Sequence, residues 1–446
     1  MPNYLEWSRA YTGRIQEEDA HKRQAKAQAL GDRLHKEMAE GILPFLTMPY
    51  RKRMEEDLAR VLPVAQNYRH MLLLGIGGSA LGCRAIQHAF APGQDLPNHT
   101  GPSVWVVDNV CAEQLEALLG SLSPKETIVV TISKSGGTIE TLSQYFLVKQ
   151  WLKEALGDAW HRQMIVVTDL VKGYLRDEAK RLGLASMEVP DYLGGRYSAL
   201  SAVGLLPAAY LGVDWKGLID GAASVAKPLV DNPASIATHP AFALASWADA
   251  LMERDYSQLI FFSYIPKWAV YGPWFAQLWA ESLGKGGKGS QPIPATGVTD
   301  QHSINQMFLD GRRDKACLFV TSQNNPKGRA FGDDLPEKWS WLRPHAFGDL
   351  LEAEALGTKM ALCQSKVPLV ELSMADSDAY AAGAMMLLLE ATTVFTGWLM
   401  GINPVDQPAV ELGKRLANCR LGATGYTQEE ADLAAFFATK KVEQPF

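Results

Sequence analysis

"ETIVVTISKSGGTIETLSQYFLVKQWL", residues 126–152, reads as a strand, a loop and a helix in immediate succession. Residues 127–132 are an uninterrupted run of Ile, Val and Thr, the composition of a strand covered on both faces. From Ile139 the pattern is helical. Between them Ser133-Lys134-Ser135-Gly136-Gly137-Thr138 brings hydroxyls, backbone amides and one ammonium, with almost no apolar surface. A helix entered this way offers unpaired N–H groups and the positive end of its dipole to an anion. The glycines let the backbone approach closely, the hydroxyls of Ser133, Ser135 and Thr138 add donors, and Lys134 adds a full charge. The competing reading is a hydroxyl-capped helix with nothing bound. Five donors and a lysine exceed what one cap requires, so the loop is expected to cradle a phosphate.

The strand type recurs on both sides. "HMLLLGIGG" (70–78), "SVWVVDN" (103–109) and "RQMIVVTD" (162–169) are Val- and Leu-rich runs separated by helical stretches. The pattern restarts with "SQLIFFSYI" (257–265), "KACLFVTS" (315–322) and "KVPLVELSM" (366–374). Apolar strands alternating with helices indicate parallel sheets covered on both faces. The expected fold is α/β, with two tandem sandwiches and helical N- and C-terminal extensions. The expected partition is a helical segment over 1–60, domains over 61–225 and 226–400, and a helical extension over 401–446. The boundary between the sandwiches is expected in the Gly- and Pro-containing stretch 212–240.

The chain is 47% apolar, enough for a large core, and its net charge of −6 lacks the basic footprint of a nucleic-acid binder. Cys83, Cys111, Cys317, Cys363 and Cys419 are scattered, with no CxxC or Cys/His cluster. No disulfide framework, metal site or cofactor is expected. The polar N-terminus lacks a signal-peptide core, which favours the cytoplasm. Residues 378–401 are almost long enough to span a bilayer, but Glu390 sits mid-run and no Lys or Arg flanks it, so a buried core helix is expected and no membrane.

Acid–base groups are spread over four further stretches. In "YGPWFAQLWAESLG" (271–284) Pro273 suits a first helical turn and Gly284 a stop. Gln277 and Glu281 then stand at i and i+4 on one face. Trp274, Leu278 and Trp279 surround them with apolar groups, which would raise the carboxyl's pKa and suit it to general-base work. "TGVTDQHSINQ" (296–306) offers His302. "VDQPAVELGK" (405–414) offers Lys414, three residues after Glu411, where a surface ion pair is the plain alternative. "GGRYS" (194–198) aims Arg196 from a tight turn. Together with the loop, this set suits proton shuttling on a phosphorylated carbonyl compound. "GIGGSA" (75–80) also matches a dinucleotide turn, with Asp108 as ribose partner, and keeps a nicotinamide-dependent alternative open.

"GIGGSALG", "SKSGGTIET", "GGRYS", "QLWAESLGKG", "TDQHSINQ" and "DQPAVELGK" occur in the order and roughly the spacing found in glucose-6-phosphate isomerases of the short bacterial type, and from about residue 70 to about residue 420 the chain resembles that family. The resemblance implies two sugar-isomerase (SIS) domains, each a doubly wound parallel sandwich. It implies reversible interconversion of glucose 6-phosphate and fructose 6-phosphate, in glycolysis and gluconeogenesis, through ring opening and a cis-enediolate. By similarity Gly78, Ser79, Ser133, Lys134, Ser135, Thr138 and Gln277 hold the sugar phosphate. Glu281 moves the proton between C2 and C1, His302 with Lys414 opens the ring, and Arg196 stabilises the enediolate. A homodimer with His302 supplied by the neighbouring subunit is implied as well. A sugar-phosphate sensor on the same domains, lacking the base, is the rival that Glu281 and His302 weigh against.

Overall fold

The structure, a computed structural model, describes residues 1–445. It forms two compact units, Met1–Pro404 and the residues from Val405 on. The first unit contains two five-stranded sheets. One consists of β2 (His70–Leu74), β3 (Ser103–Val107), β4 (Thr127–Ile132), β5 (Met164–Thr168) and β6 (Ala185–Glu188), all parallel, in the order β3-β2-β4-β5-β6. The other consists of β7 (Gln258–Ser263), β8 (Gln291–Thr296), β9 (Lys315–Ser322) and β10 (Leu369–Met374), parallel in the order β10-β9-β7-β8, with β1 (Tyr4–Arg9) antiparallel on β10. Both sheets are doubly wound: the chain leaves β2 toward β3 and returns to β4 on its other side, and does the same around β7. Each sheet therefore has a topological switch point, where loops diverge and leave a crevice at the C-terminal strand ends.

The seven apolar runs all form strands, because each is covered by helices or neighbouring strands. β4 is buried at every residue. The three additional strands, β1, β6 and β8, all lie at sheet edges. β8 carries Pro292 and Pro294, which an edge tolerates because one side of the strand needs no N–H. The helical segment expected over residues 1–60 opens with a strand, half-exposed and too polar to register as an apolar run.

The stretch 212–240 is where the boundary between the sandwiches is expected. It is mostly helix, Trp215–Asp231, followed by a short 3₁₀ turn. A methyl group on Gly221 would stand 1.9 Å from the Tyr380 carbonyl oxygen, and one on Gly383 would stand 1.9 Å from that of Leu218. These glycines permit two helices to cross at backbone contact. The partner helix, Ala379–Leu399, is the long apolar one; 94% of its most apolar window is buried inside the protein. Its hydrophobicity serves the core.

Candidate active site

The turn after β2 and the loop after β4 leave adjacent strands at one switch point. Leu74 is in register with Thr131, and a methyl on Gly75 would lie 3.4 Å from the Ile132 carbonyl oxygen. Gly75–Ser79 and 133–138 therefore emerge side by side. Thr138 occupies the N-cap of the helix Ile139–Leu156, yet its hydroxyl makes no cap bond. It meets the Ser133 hydroxyl at 3.0 Å and that of Ser135 at 3.4 Å, while the Gly137 N–H donates to Ser135 Oγ at 3.2 Å. The hydroxyls are gathered across the mouth of the helix rather than spent on its end, so the first-turn amides stay available to an anion. Gly136 has φ +64° and packs on the turn at Gly173, positions where a side chain would be strained. Lys134 is half-buried. Burial pushes its ammonium below the ordinary lysine value, while Asp191 and Asp169 pull it back up.

The second sheet contributes the helix Tyr271–Leu283, which follows β7. Gln277 Nε2 donates to Glu281 Oε1 at 2.9 Å, the i, i+4 contact that the spacing requires. Gln277 also reaches the glycine turn of the first sheet: a methyl on Gly77 would stand 3.0 Å from its Nε2. Gln277 Oε1 is buried with no hydrogen-bond partner among the described residues. The tryptophans expected to enclose Glu281 are themselves buried, whereas its own side chain is 30% exposed. The carboxylate opens to the site instead of lying in an apolar pocket.

Arg196 closes the group from a third side. Its turn, Gly195–Tyr197, presses on the glycine turn so tightly that a methyl on Gly78 would stand 2.2 Å from the Gly195 carbonyl carbon. The guanidinium is buried. Nη1 lies 3.3 Å from Glu281 Oε2, Nε donates to Ser282 Oγ at 2.7 Å, and Nη2 donates to the Pro404 carbonyl at 2.7 Å. Tyr197 hydroxyl shares Ser282 Oγ at 2.9 Å. Ser282, Tyr197 and the Pro404 carbonyl were not singled out in the sequence. Ser282 is adjacent to Glu281 and Tyr197 to Arg196, but nothing local signals that they would meet.

Gly78, Ser79, Gln277, Glu281 and Arg196 are thus brought to one junction, with the Ser133–Thr138 loop beside it. His302 is not part of it within this chain. It ends the turn Thr299–His302, is exposed, and has no hydrogen bond among the described residues, although Gln301 anchors the turn on Tyr264 at 2.6 Å. Lys414 belongs to the second compact unit, where it lies in the helix Glu411–Arg420 and pairs with Glu411 at 2.8 Å. The dinucleotide alternative loses its supports. Asp108 is held bidentate by Arg84, and the glycines of residues 75–78 accommodate Gly195 and Gln277 of the same chain.

Comparison with known proteins converges on one family. The sequence profile of the family described as phosphoglucose isomerase matches residues 63–322. A glucose-6-phosphate isomerase of Rubrobacter xylanophilus is 37% identical over 396 residues, covering 86% of this chain and 90% of that protein. Among solved structures, a hypothetical protein of Thermus thermophilus aligns with TM-score 0.83 and 32% identity over 91% of this chain and 97% of its own. A glucose-6-phosphate isomerase of Chlamydia trachomatis aligns with TM-score 0.78 over 98% and 92%, at 20% identity, and so speaks to the fold alone.

Proposed function

The chain belongs to the phosphoglucose isomerase family, and from that premise we propose that it interconverts glucose 6-phosphate and fructose 6-phosphate at the junction of Gln277, Glu281 and Arg196. The observation that carries this reading is the Arg196–Glu281 pair, 3.3 Å apart and next to a loop built for a phosphate. Aldose–ketose isomerisation moves a proton between two neighbouring carbons, one of which bears the carbonyl. A base must take the proton from C2 and return it to C1, and a cation must steady the oxygen that becomes negative in between.

Each group fits one task. The loop Ser133–Thr138, with Gly78 and Ser79, grips the phosphate, which fixes the sugar so that C1 and C2 both reach one carboxylate. Glu281 accepts the C2 proton, the electrons left on carbon form the enediolate double bond, and the same carboxyl delivers a proton to C1 of the ketose. Arg196 stays protonated and stabilises the enediolate oxygen without taking the proton itself. Gln277 orients Glu281 and contributes to the phosphate side. Ring opening is a separate proton transfer at O1 and the ring oxygen, assigned to His302 with Lys414.

His302, exposed and away from Glu281 in its own chain, acts on the site of a second subunit in a homodimer. The two sheets represent two sugar-isomerase domains, over 61–225 and 226–400, and the enzyme works in the cytoplasm. Addition of glucose 6-phosphate without cofactor, in the presence of a chelator, is the direct test. Appearance of fructose 6-phosphate supports the reading, and its absence overturns it in favour of a sensor.

A further inference from the structure

At the N-terminal ends of β7, β9 and β10 the first unit contains a cavity of about 390 Å³. Its lining includes Arg14, Arg312, Arg313, Lys315 and Lys366, and no Asp or Glu. Among the described residues, the carboxylate against these cations is that of Asp314, which is committed to Lys315 at 3.0 Å and Arg312 at 3.5 Å and also accepts from the Ser257 hydroxyl. Arg14 donates to the backbone carbonyls of Asp255 and Arg313, and Arg313 donates to those of Leu309 and Ser365. Carbonyls orient these guanidinium groups but leave their charge uncancelled. Arg14 also stacks on Tyr256, its carbon 4.8 Å from the ring centre, which fixes it further.

We propose that this cavity is a second anion site, taking a phosphorylated small molecule with more than one negative charge. Three arginines and two lysines around a concave space focus a positive potential in a chain whose net charge is −6. Guanidinium groups held by backbone carbonyls match phosphate oxygens with little further ordering. The volume exceeds what an inorganic ion fills and falls in the range of small-ligand pockets. The proposal stands apart from the isomerase reading, because none of these residues belongs to that site.

The test is calorimetric titration of the full chain with tripolyphosphate, alone and with saturating glucose 6-phosphate. Binding that persists beside the sugar, and weakens about tenfold or more in the double variant R312Q/K366Q, is the expected result. Both side chains are exposed, so folding should survive, and a thermal melt matching the parent checks this. A second variant, R313Q, should weaken binding as well. Lack of binding, displacement by glucose 6-phosphate, or unchanged affinity in R312Q/K366Q would each overturn the proposal.

Discussion

Arg196 and Glu281, 85 residues apart in sequence, meet at 3.3 Å with the guanidinium buried and the carboxylate facing open space. The other two edges of the guanidinium are fixed by Ser282 Oγ and the Pro404 carbonyl. An ammonium also has three N–H donors, but they radiate from one nitrogen and cannot span the three positions that Nε, Nη1 and Nη2 occupy. R196K should therefore lose about 100- to 1,000-fold in kcat, the scale of removing one oriented donor from a developing oxyanion. Steady-state kinetics on fructose 6-phosphate checks this, and near-parental turnover would remove Arg196 from the charge-stabilising role.

E281Q preserves the shape of the side chain while removing the base. Exchange of the C2 proton with solvent should fall by at least about 1,000-fold, while the affinity for a competitive sugar-acid phosphate changes little. The same variant tests the subunit arrangement. Mixed and refolded with H302A, it should recover about a quarter of parental activity, since half of the dimers would be mixed and each would hold one intact site. Failure of the mixture to regain activity would place His302 in its own chain's site.

K134A should raise KM for the phosphorylated sugar by about 10- to 100-fold, with a smaller change in kcat, as expected for one lost charge-assisted hydrogen bond. The folded lysine is depressed below its ordinary value, chiefly by burial. Its cation is therefore lost at a lower pH than in an exposed lysine, and KM should climb on the alkaline side. K134R keeps its charge there and should flatten the climb. A KM insensitive to both substitutions would dismiss the cradle.

Glu390 lies fully buried in the middle of the helix Ala379–Leu399, and neither carboxyl oxygen has a hydrogen-bond partner among the described residues. Burial pushes its pKa well above the ordinary 4.5. The unfolded chain therefore releases this proton at a pH where the folded chain keeps it. The folded state is favoured fully below the unfolded pKa and loses about 1.4 kcal/mol per pH unit as pH rises toward the folded one. E390Q cannot ionise, so its stability measured in urea should fall less steeply between pH 5 and pH 8 than that of the parent. Parallel pH profiles would show that Glu390 is ionised in the fold.

Some of this architecture is legible locally. The seven covered strands announce themselves because a strand buried on both faces must be apolar throughout, and the Gln277–Glu281 contact follows from helical spacing. The strands β1, β6 and β8 escape notice because they are only partly buried, unlike the edge strand β3; Pro292 and Pro294 even argue against a strand in β8. Gly221 and Gly383 admit a close helix crossing between segments more than 150 residues apart, which no local pattern reveals.

From composition and spacing alone came the two alternating sheets, the hydroxyl-rich loop and the face that carries Glu281, because each depends on residues within a few positions of one another. Which groups stand opposite each other depended on folding. Ser282 and Pro404 clasping Arg196, Gly195 pressed on Gly78 and the basic cavity beneath the second sheet all arise from segments tens to hundreds of residues apart. Side-chain chemistry is written in the chain one residue at a time, but distance between remote residues is fixed only when the sheets and helices pack.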